Sequence, residues 1–166
     1  MSRGGLGGRT IERPRKFTQF VEWKHYHNLE RTPMLLTVRD ETAAGQSLYE
    51  VAIEFLTERI TVKDLVRERV RQEVQHFNRK RSEEFQGLVQ PTGAEMVLNG
   101  RTTAFRMQKH RPLDVDEQVE RALEGFTNNS YFILINDNQA DSLEQEFSIC
   151  PTTRVSFVKL IPLVGG

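Results

Sequence analysis

The chain has 166 residues, with 23 basic and 23 acidic side chains, and 37% of its residues are hydrophobic. This length allows one domain with a core. The balanced charge gives no overall field that would favour nucleic acid or an anionic membrane. No apolar stretch reaches the roughly 18 residues that a membrane-spanning helix needs. Residues 1–16 also lack the apolar segment of a secretion signal. We therefore expect a soluble cytoplasmic protein.

Residues 1–33 differ in composition from the rest of the chain. Four glycines fall in the first eight residues, and a basic stretch follows. We expect a flexible arm that becomes partly ordered from about residue 16, because Phe17–His27 is rich in aromatic side chains. His25 and His27 are too few to form a metal site without further ligands, so no metal is expected.

From Met34 the pattern becomes regular. Met34–Thr42 and Ser47–Leu56 are strand-like and are separated by a turn at residues 44–46, which predicts a β-hairpin. A long amphipathic helix follows, with Thr61 as N-cap and Asp64 in the capping-box position. Its apolar face has helical spacing: Val62, Leu65, Val66, Val70, Val74 and Phe77.

The same helix carries many basic side chains: Arg67, Arg69, Arg71, Arg79, Lys80 and Arg81. Glutamates lie between them, and no aromatic side chains are interleaved for stacking on bases. We therefore interpret this face as an ordinary solvated surface and expect no nucleic acid partner.

Residues 81–130 form a long segment with a hairpin and a helix of its own. Asn99-Gly100 lies between two strand-like runs and predicts a second tight hairpin. A second helix is predicted to begin at the N-cap Asp114 and to end at Asn128-Asn129. Its apolar face has helical spacing: Val115, Val119, Leu123 and Phe126.

Two strands are predicted in the last part of the chain. Tyr131–Asp137 is almost continuously apolar, and a terminal strand lies within Thr153–Val164. Cys150, the one cysteine, precedes Pro151; it excludes an internal disulfide. We expect a buried or half-buried structural thiol there, because no neighbouring His or Lys would lower its pKa.

One mixed sheet accommodates this order of elements. The helix lies across the first hairpin, and the terminal strand runs beside the first strand in the middle of the sheet. That arrangement is an α+β fold of the β-grasp type, here with an inserted hairpin and second helix at about 81–130, in a domain spanning 34–166. In the terminal strand we expect Val155, Phe157 or Val158, and Leu160 to be buried.

The sequence resembles the ubiquitin-like proteins. MLLTVRDETAAGQSLYEVAIEFLTERITVKDLVRERV resembles their opening hairpin and helix, and "TVKDL" at the helix start is typical of them. ILINDNQADSLEQEFSICPTTRVSFVKLIPLVGG is similar to the close of the sulfur-carrier branch, which includes the small subunit of molybdopterin synthase and the thiamine sulfur carrier. In that branch a proline-containing tail closes on Gly-Gly.

The resemblance implies that the protein is a substrate of other enzymes and not itself an enzyme. A partner activating enzyme would use ATP to adenylate the carboxylate of Gly166, the point of covalent attachment, and would recognise the tail residues Pro162, Leu163, Val164 and Gly165. Glycine suits a narrow active-site tunnel because it has no side chain to clash with the walls. With Gly166 last, no protease would be needed. Val164–Gly166 are expected to protrude.

Three outcomes remain open at this point. The carboxylate is transferred to a target amine, with a conjugating enzyme and a target protein as further partners. Alternatively, it becomes a thiocarboxylate that donates sulfur. In the third reading the domain is a non-conjugated interaction module whose sheet face or 81–130 insertion binds a partner. The sequence supplies no nucleophile and base pair that would indicate catalysis by the chain itself, and the chain needs no cofactor of its own.

Overall fold

A computed structural model describes residues 32–42, 44–99 and 102–160. The chain divides into two compact units, Met1–Thr32 and Pro33–Gly166, and all the described helices and strands belong to the second. The predicted arm at 1–33, with His25 and His27, lies outside the described residues except at its last two positions. Among the described residues, no helix is both long enough and apolar enough to cross a membrane.

The second unit is a mixed α+β structure. Its elements follow one another in this order: β1 (Met34–Glu41), β2 (Ser47–Phe55), β3 (Arg59–Thr61), α1 (Val62–Lys80), β4 (Glu84–Phe85), β5 (Glu95–Asn99), β6 (Thr102–Arg106), α2 (Val115–Thr127), β7 (Tyr131–Ile135), β8 (Asn138–Gln139), β9 (Glu146–Ser148) and β10 (Val155–Lys159).

The main sheet has the strand order β2-β1-β10-β7-β8. The predicted hairpin is confirmed: β1 and β2 are antiparallel, with Val38 opposite Val51. Gly45 in the connecting turn has a φ of +73°, a conformation that glycine adopts without strain. The last strand, β10, runs parallel to β1 and antiparallel to β7, so its predicted central position is confirmed.

Alternation along β10 decides which of its side chains are buried. Val155 and Phe157 face the core and are almost fully buried, as predicted. Leu160, predicted to be buried, is 44% exposed. Side chains along a strand point alternately to its two faces. Leu160 therefore has the parity of Ser156 and Val158 and not that of the core-facing residues, and it follows the last residue that pairs within the sheet.

Helix α1 begins at a complete capping box, as predicted. The backbone N–H of Asp64 donates to Thr61 Oγ1, and the N–H of Thr61 donates to Asp64 Oδ2, both at 3.1 Å. The predicted apolar face is buried, and it shares one hydrophobic core with side chains of the main sheet: Leu36, Val38, Ile53, Ile133 and Phe157. Burial of side chains of this size stabilises a fold by about 1.5–3 kcal/mol each.

The insertion contains a three-stranded sheet of order β4-β6-β5, followed by α2. Strands β5 and β6 are antiparallel, with Asn99 opposite Thr102, which confirms the pairing predicted from Asn99-Gly100; residues 100–101 lie outside the described part. Helix α2 begins as predicted, with the N–H of Glu117 donating to Asp114 Oδ1 at 2.8 Å, and ends at the C-cap Asn128. It packs against α1.

Candidate functional site

The end of β10 is the place from which the remaining chain leaves the sheet. Because β1 and β10 are parallel, their carboxyl ends meet at the same edge, with Asp40 opposite Phe157. Asp40 and Phe157 are both buried on the side of the sheet that faces the core. The polar side chains around Asp40 therefore lie close to Lys159 and Leu160, the last described residues of the chain.

Arg69 of α1 is the centre of a buried ionic cluster at this edge. Its side chain is only 2% exposed. Nη1 lies 2.7 Å from Asp40 Oδ1, and Nε donates to Glu73 Oε1 at 2.8 Å. The guanidinium also lies over the ring of Phe157, 4.4 Å from its centroid. A cation held over an aromatic face is attracted by the negative face of the ring. Arg69 therefore joins α1 to both β1 and β10.

The charges in this cluster are balanced. Lys159 Nζ, 3.7 Å from Asp40 Oδ2, supplies a second cation, so two cations face the two carboxylates. Burial would lower the pKa of Arg69, but the charges of Glu73 and Asp40 outweigh it and raise that pKa above its ordinary value. Arg69 Nη1 and Asp40 Oδ1 make no aligned hydrogen bond within the described part, so each depends on this ion pair for compensation.

The insertion is tied to the same residues. The backbone N–H of Leu88 donates to Glu73 Oε2, and Lys159 Nζ donates to the carbonyl of Gly87, both at 2.9 Å. Gly87 fits here because a Cβ at this position would lie 2.1 Å from two ring atoms of Phe85. Contacts therefore run from Asp40 through Arg69 and Glu73 to the insertion and back through Lys159. We call Asp40, Arg69, Glu73 and Lys159 the exit cluster.

Two clefts open beside the exit cluster. The first, of about 940 Å³, lies between β2, the carboxyl-terminal half of α1 and residues 82–86, and both Asp40 and Lys159 line it. The second, of about 520 Å³, lies between α2 and the part of the insertion that precedes it, and both Lys159 and Leu160 line it. Lys159 thus stands between the two clefts at the point where the chain leaves the sheet.

The residues predicted to carry the chemistry lie beyond this point. Pro162, Leu163, Val164, Gly165 and Gly166 all fall outside the described residues, as does the predicted protrusion of Val164–Gly166. The described residues therefore include the base from which this segment starts, but not the segment itself. Within the described part, no group of three or more His, Cys, Asp or Glu side chains is arranged to hold a metal ion.

The interpretation of Arg69 from the sequence was wrong. Arg69 is not part of a solvated basic face: Arg67, Arg71, Arg79, Lys80 and Arg81 are exposed, whereas Arg69 is buried because it follows Leu65 and Val66 by one helical turn. The same rule of position applies to Asp40, which shares the buried face of β1 with Leu36 and Val38. A charged residue in register with apolar ones was the signal for both.

Cys150 is exposed, in contrast to the predicted buried or half-buried thiol. Its Sγ lies 3.1 Å from the hydroxyl oxygens of both Thr152 and Thr153. Hydrogen bonds from Thr152 and Thr153 lower the pKa of the thiol to about 7, because they stabilise the thiolate. The expectation that nothing nearby would lower this pKa considered only charged neighbours and omitted hydroxyl groups.

Comparisons with known proteins identified no relative of this chain. No protein-family model matches the chain, and searches against curated proteins and against solved structures found no match.

Proposed function

We propose that the protein is a ubiquitin-like modifier with a β-grasp fold. In this proposal a partner activating enzyme adenylates the carboxylate of Gly166, which is then transferred to a target amine. The observation that carries the proposal is the position of β10, which lies in the middle of the sheet, parallel to β1, and leads directly into the segment that closes on Gly165-Gly166. The hairpin followed by a helix across the same sheet supports it.

The proposed chemistry proceeds in steps that leave the domain itself unchanged. A carboxylate oxygen of Gly166 attacks the α-phosphorus of ATP, and pyrophosphate leaves. A thiolate of the partner then attacks the acyl carbon, AMP leaves, and a thioester forms. Finally the amine of the target attacks the thioester, loses a proton and releases the thiol, which leaves an isopeptide bond. The proposal applies equally to a carboxylate that is free from synthesis and to one that a protease exposes.

In this proposal the exit cluster holds the end of β10 in place. A chain segment that is held at one end loses less conformational freedom when an enzyme binds its other end. Phe157 and Lys159 are fixed by Arg69, Asp40 and the carbonyl of Gly87. The segment after Leu160 therefore starts from an anchored point, and binding of the tail does not have to reorder the end of the strand.

The proposal is tested in the cells from which the sequence comes. The chain is expressed with an affinity tag at its N-terminus, and its products are purified under denaturing conditions. We expect species of higher mass that survive reduction, because isopeptide bonds resist thiols. A variant that lacks Gly166 is the control, with its folding verified by circular dichroism, and the species of higher mass are expected to disappear from it.

Two other results would redirect the proposal. If the intact mass of the monomer increases by the exchange of one oxygen for sulfur, and no species of higher mass form, the chain is a sulfur carrier. If neither product forms and deletion of Gly166 leaves the cellular function intact, the domain is an interaction module. The insertion supports the interaction-module alternative, because it forms a sheet of its own and lines a cleft beside the end of β10.

A further inference from the structure

Several apolar side chains line the second cleft. Its walls include buried Leu88 and Phe105 and half-buried Val89, and Met96 exposes 47% of its surface there. Leu160, itself 44% exposed, forms part of the wall. Two apolar side chains that remain this exposed beside a cleft leave apolar surface in contact with water, which is unfavourable by an amount that grows with the area.

We propose that this cleft is a docking site for the apolar segment Ile161–Val164 of the same chain. That segment follows directly on Leu160, a residue of the cleft wall, and its four residues, Ile161, Pro162, Leu163 and Val164, are all uncharged. Six residues follow Leu160, and they span at most about 20 Å when extended. Docking within one chain is favoured because a short tether gives the segment a local concentration of the order of millimolar.

Residues of α2 also line the cleft. Gly125 of α2 lines it, and a Cβ at this position would lie 3.3 Å from both Tyr131 Cε1 and Val89 Cγ1. Glycine at this position therefore allows α2 to pack closely against Tyr131 and Val89. Polar side chains, including those of Arg121 and Glu124 from α2, also line the cleft. Arg121 donates to the carbonyl of Gln90 and to the hydroxyl of Thr92, so α2 is tied here to the loop between β4 and β5.

The docking itself does not depend on the proposed function, but its consequence for regulation does. A docked segment would hold Gly165-Gly166 against the body of the domain, so that an activating enzyme would have to displace the segment before it binds the carboxylate. The insertion would then set how readily the chain is activated. Loss of cleft contacts would release the segment and speed its capture.

Two measurements on the full-length protein test the docking, and neither needs an activating enzyme. The first is methyl NMR. The substitution Leu163→Asp is expected to shift the methyl signal of Met96 and to leave that of Leu56 unchanged, because Leu56 is exposed just after the end of β2 and does not line the cleft. The second is cleavage within residues 160–164 by thermolysin, which cuts before large apolar residues.

Met96→Glu is expected to raise that cleavage rate by about fivefold or more, since cleavage follows the released fraction when release is fast. Leu56→Glu, the control on an exposed apolar side chain that does not line the cleft, is expected to leave the rate unchanged. An unshifted Met96 signal together with equal cleavage rates overturns the docking. A Met96 shift that depends on protein concentration also overturns it, since the occupant is then a second copy. Conjugation that depends on Gly166 is measured separately, so either proposal can fail without the other.

Discussion

Replacement of Arg69 by methionine is expected to destabilise the domain more than any exposed charge substitution. Methionine keeps much of the length and apolar character of the side chain but removes the guanidinium from between Asp40 and Glu73. Both carboxylates would then remain nearly buried, and among the described residues Lys159 would still pair with Asp40. Removal of one partner from a buried ion pair costs about 3–5 kcal/mol, because an uncompensated charge stays in the interior. Loss of the contact with the Phe157 ring adds to this cost.

The assay is urea unfolding followed by far-ultraviolet circular dichroism at neutral pH. We expect Arg69→Met to lower the free energy of unfolding by about 3–5 kcal/mol with no change in m, since a change in m would mean a different exposed area. The matched control is Arg67→Met on the exposed face of the same helix, which should change stability by no more than about 0.5 kcal/mol.

A variant that also removes the two carboxylate charges separates the charge effect from loss of packing. Arg69→Met combined with Asp40→Asn and Glu73→Gln removes both buried carboxylate charges, while Lys159 keeps its hydrogen bond to the carbonyl of Gly87. We expect it to regain at least about 2 kcal/mol of the lost stability. A cost of about 1 kcal/mol or less for Arg69→Met alone would refute the reasoning, as would a triple variant that is less stable than the single one.

Three further predictions concern other parts of the domain. Alkylation of Cys150 should reach half of its maximal rate near pH 7, and Thr152→Val should move that midpoint upward because the thiolate loses a hydrogen bond; an unmoved midpoint contradicts the assigned cause. Gly87→Ala should cost about 1–3 kcal/mol in urea unfolding through contact with the Phe85 ring, and Phe85→Leu should lessen this cost; equal costs in both backgrounds would exclude that contact as the cause. Thr61→Ala should cost about 1 kcal/mol by loss of the N-cap, whereas a neutral result would mean that the capping box contributes no net stability.

The elements with strong local signals could be predicted from the sequence. The capping box at Thr61, the alternation along β2 and the N-cap Asp114 act within a few residues, so their patterns are visible in one segment. The central position of β10 was predicted from the order of the elements. One mixed sheet accommodates this order when the last strand runs beside the first strand. The predictions of the caps and of the alternation required no knowledge of distant contacts.

The short strands could not be predicted in the same way. Strands β3 and β9 have three residues each, and β4 and β8 have two, which is too few for a periodic pattern. Their pairing is determined by elements distant in sequence: Ile60 lies opposite Phe147, and Phe85 lies opposite Phe105. Such strands form because the surrounding fold places the two segments side by side.

The candidate site, too, could be predicted from the sequence only in part. The sequence indicated the tail, but it gave no sign that Gly87 and Lys159 would join the insertion to the end of β10, because that contact links residues 72 positions apart. Arg69 and Asp40 did carry a signal, since each occupies a position that its own helical or strand period assigns to the core. The prediction that Arg69 lies on the surface considered its charge, whereas its position on the apolar face of α1 determines that it is buried.

The measurement that tests the central proposal most directly is the identification of the linkage itself. Trypsin cleaves after Lys159, so a conjugated target lysine would keep the branch LIPLVGG, which runs from Leu160 to Gly166. The proposal predicts that mass spectrometry of denatured cell extracts detects this branch on lysines of other proteins, and that it is missing when Gly166 is deleted. If the tryptic peptide from Leu160 to Gly166 is recovered only with a free carboxylate, even under conditions in which the protein is active, the modifier proposal is contradicted.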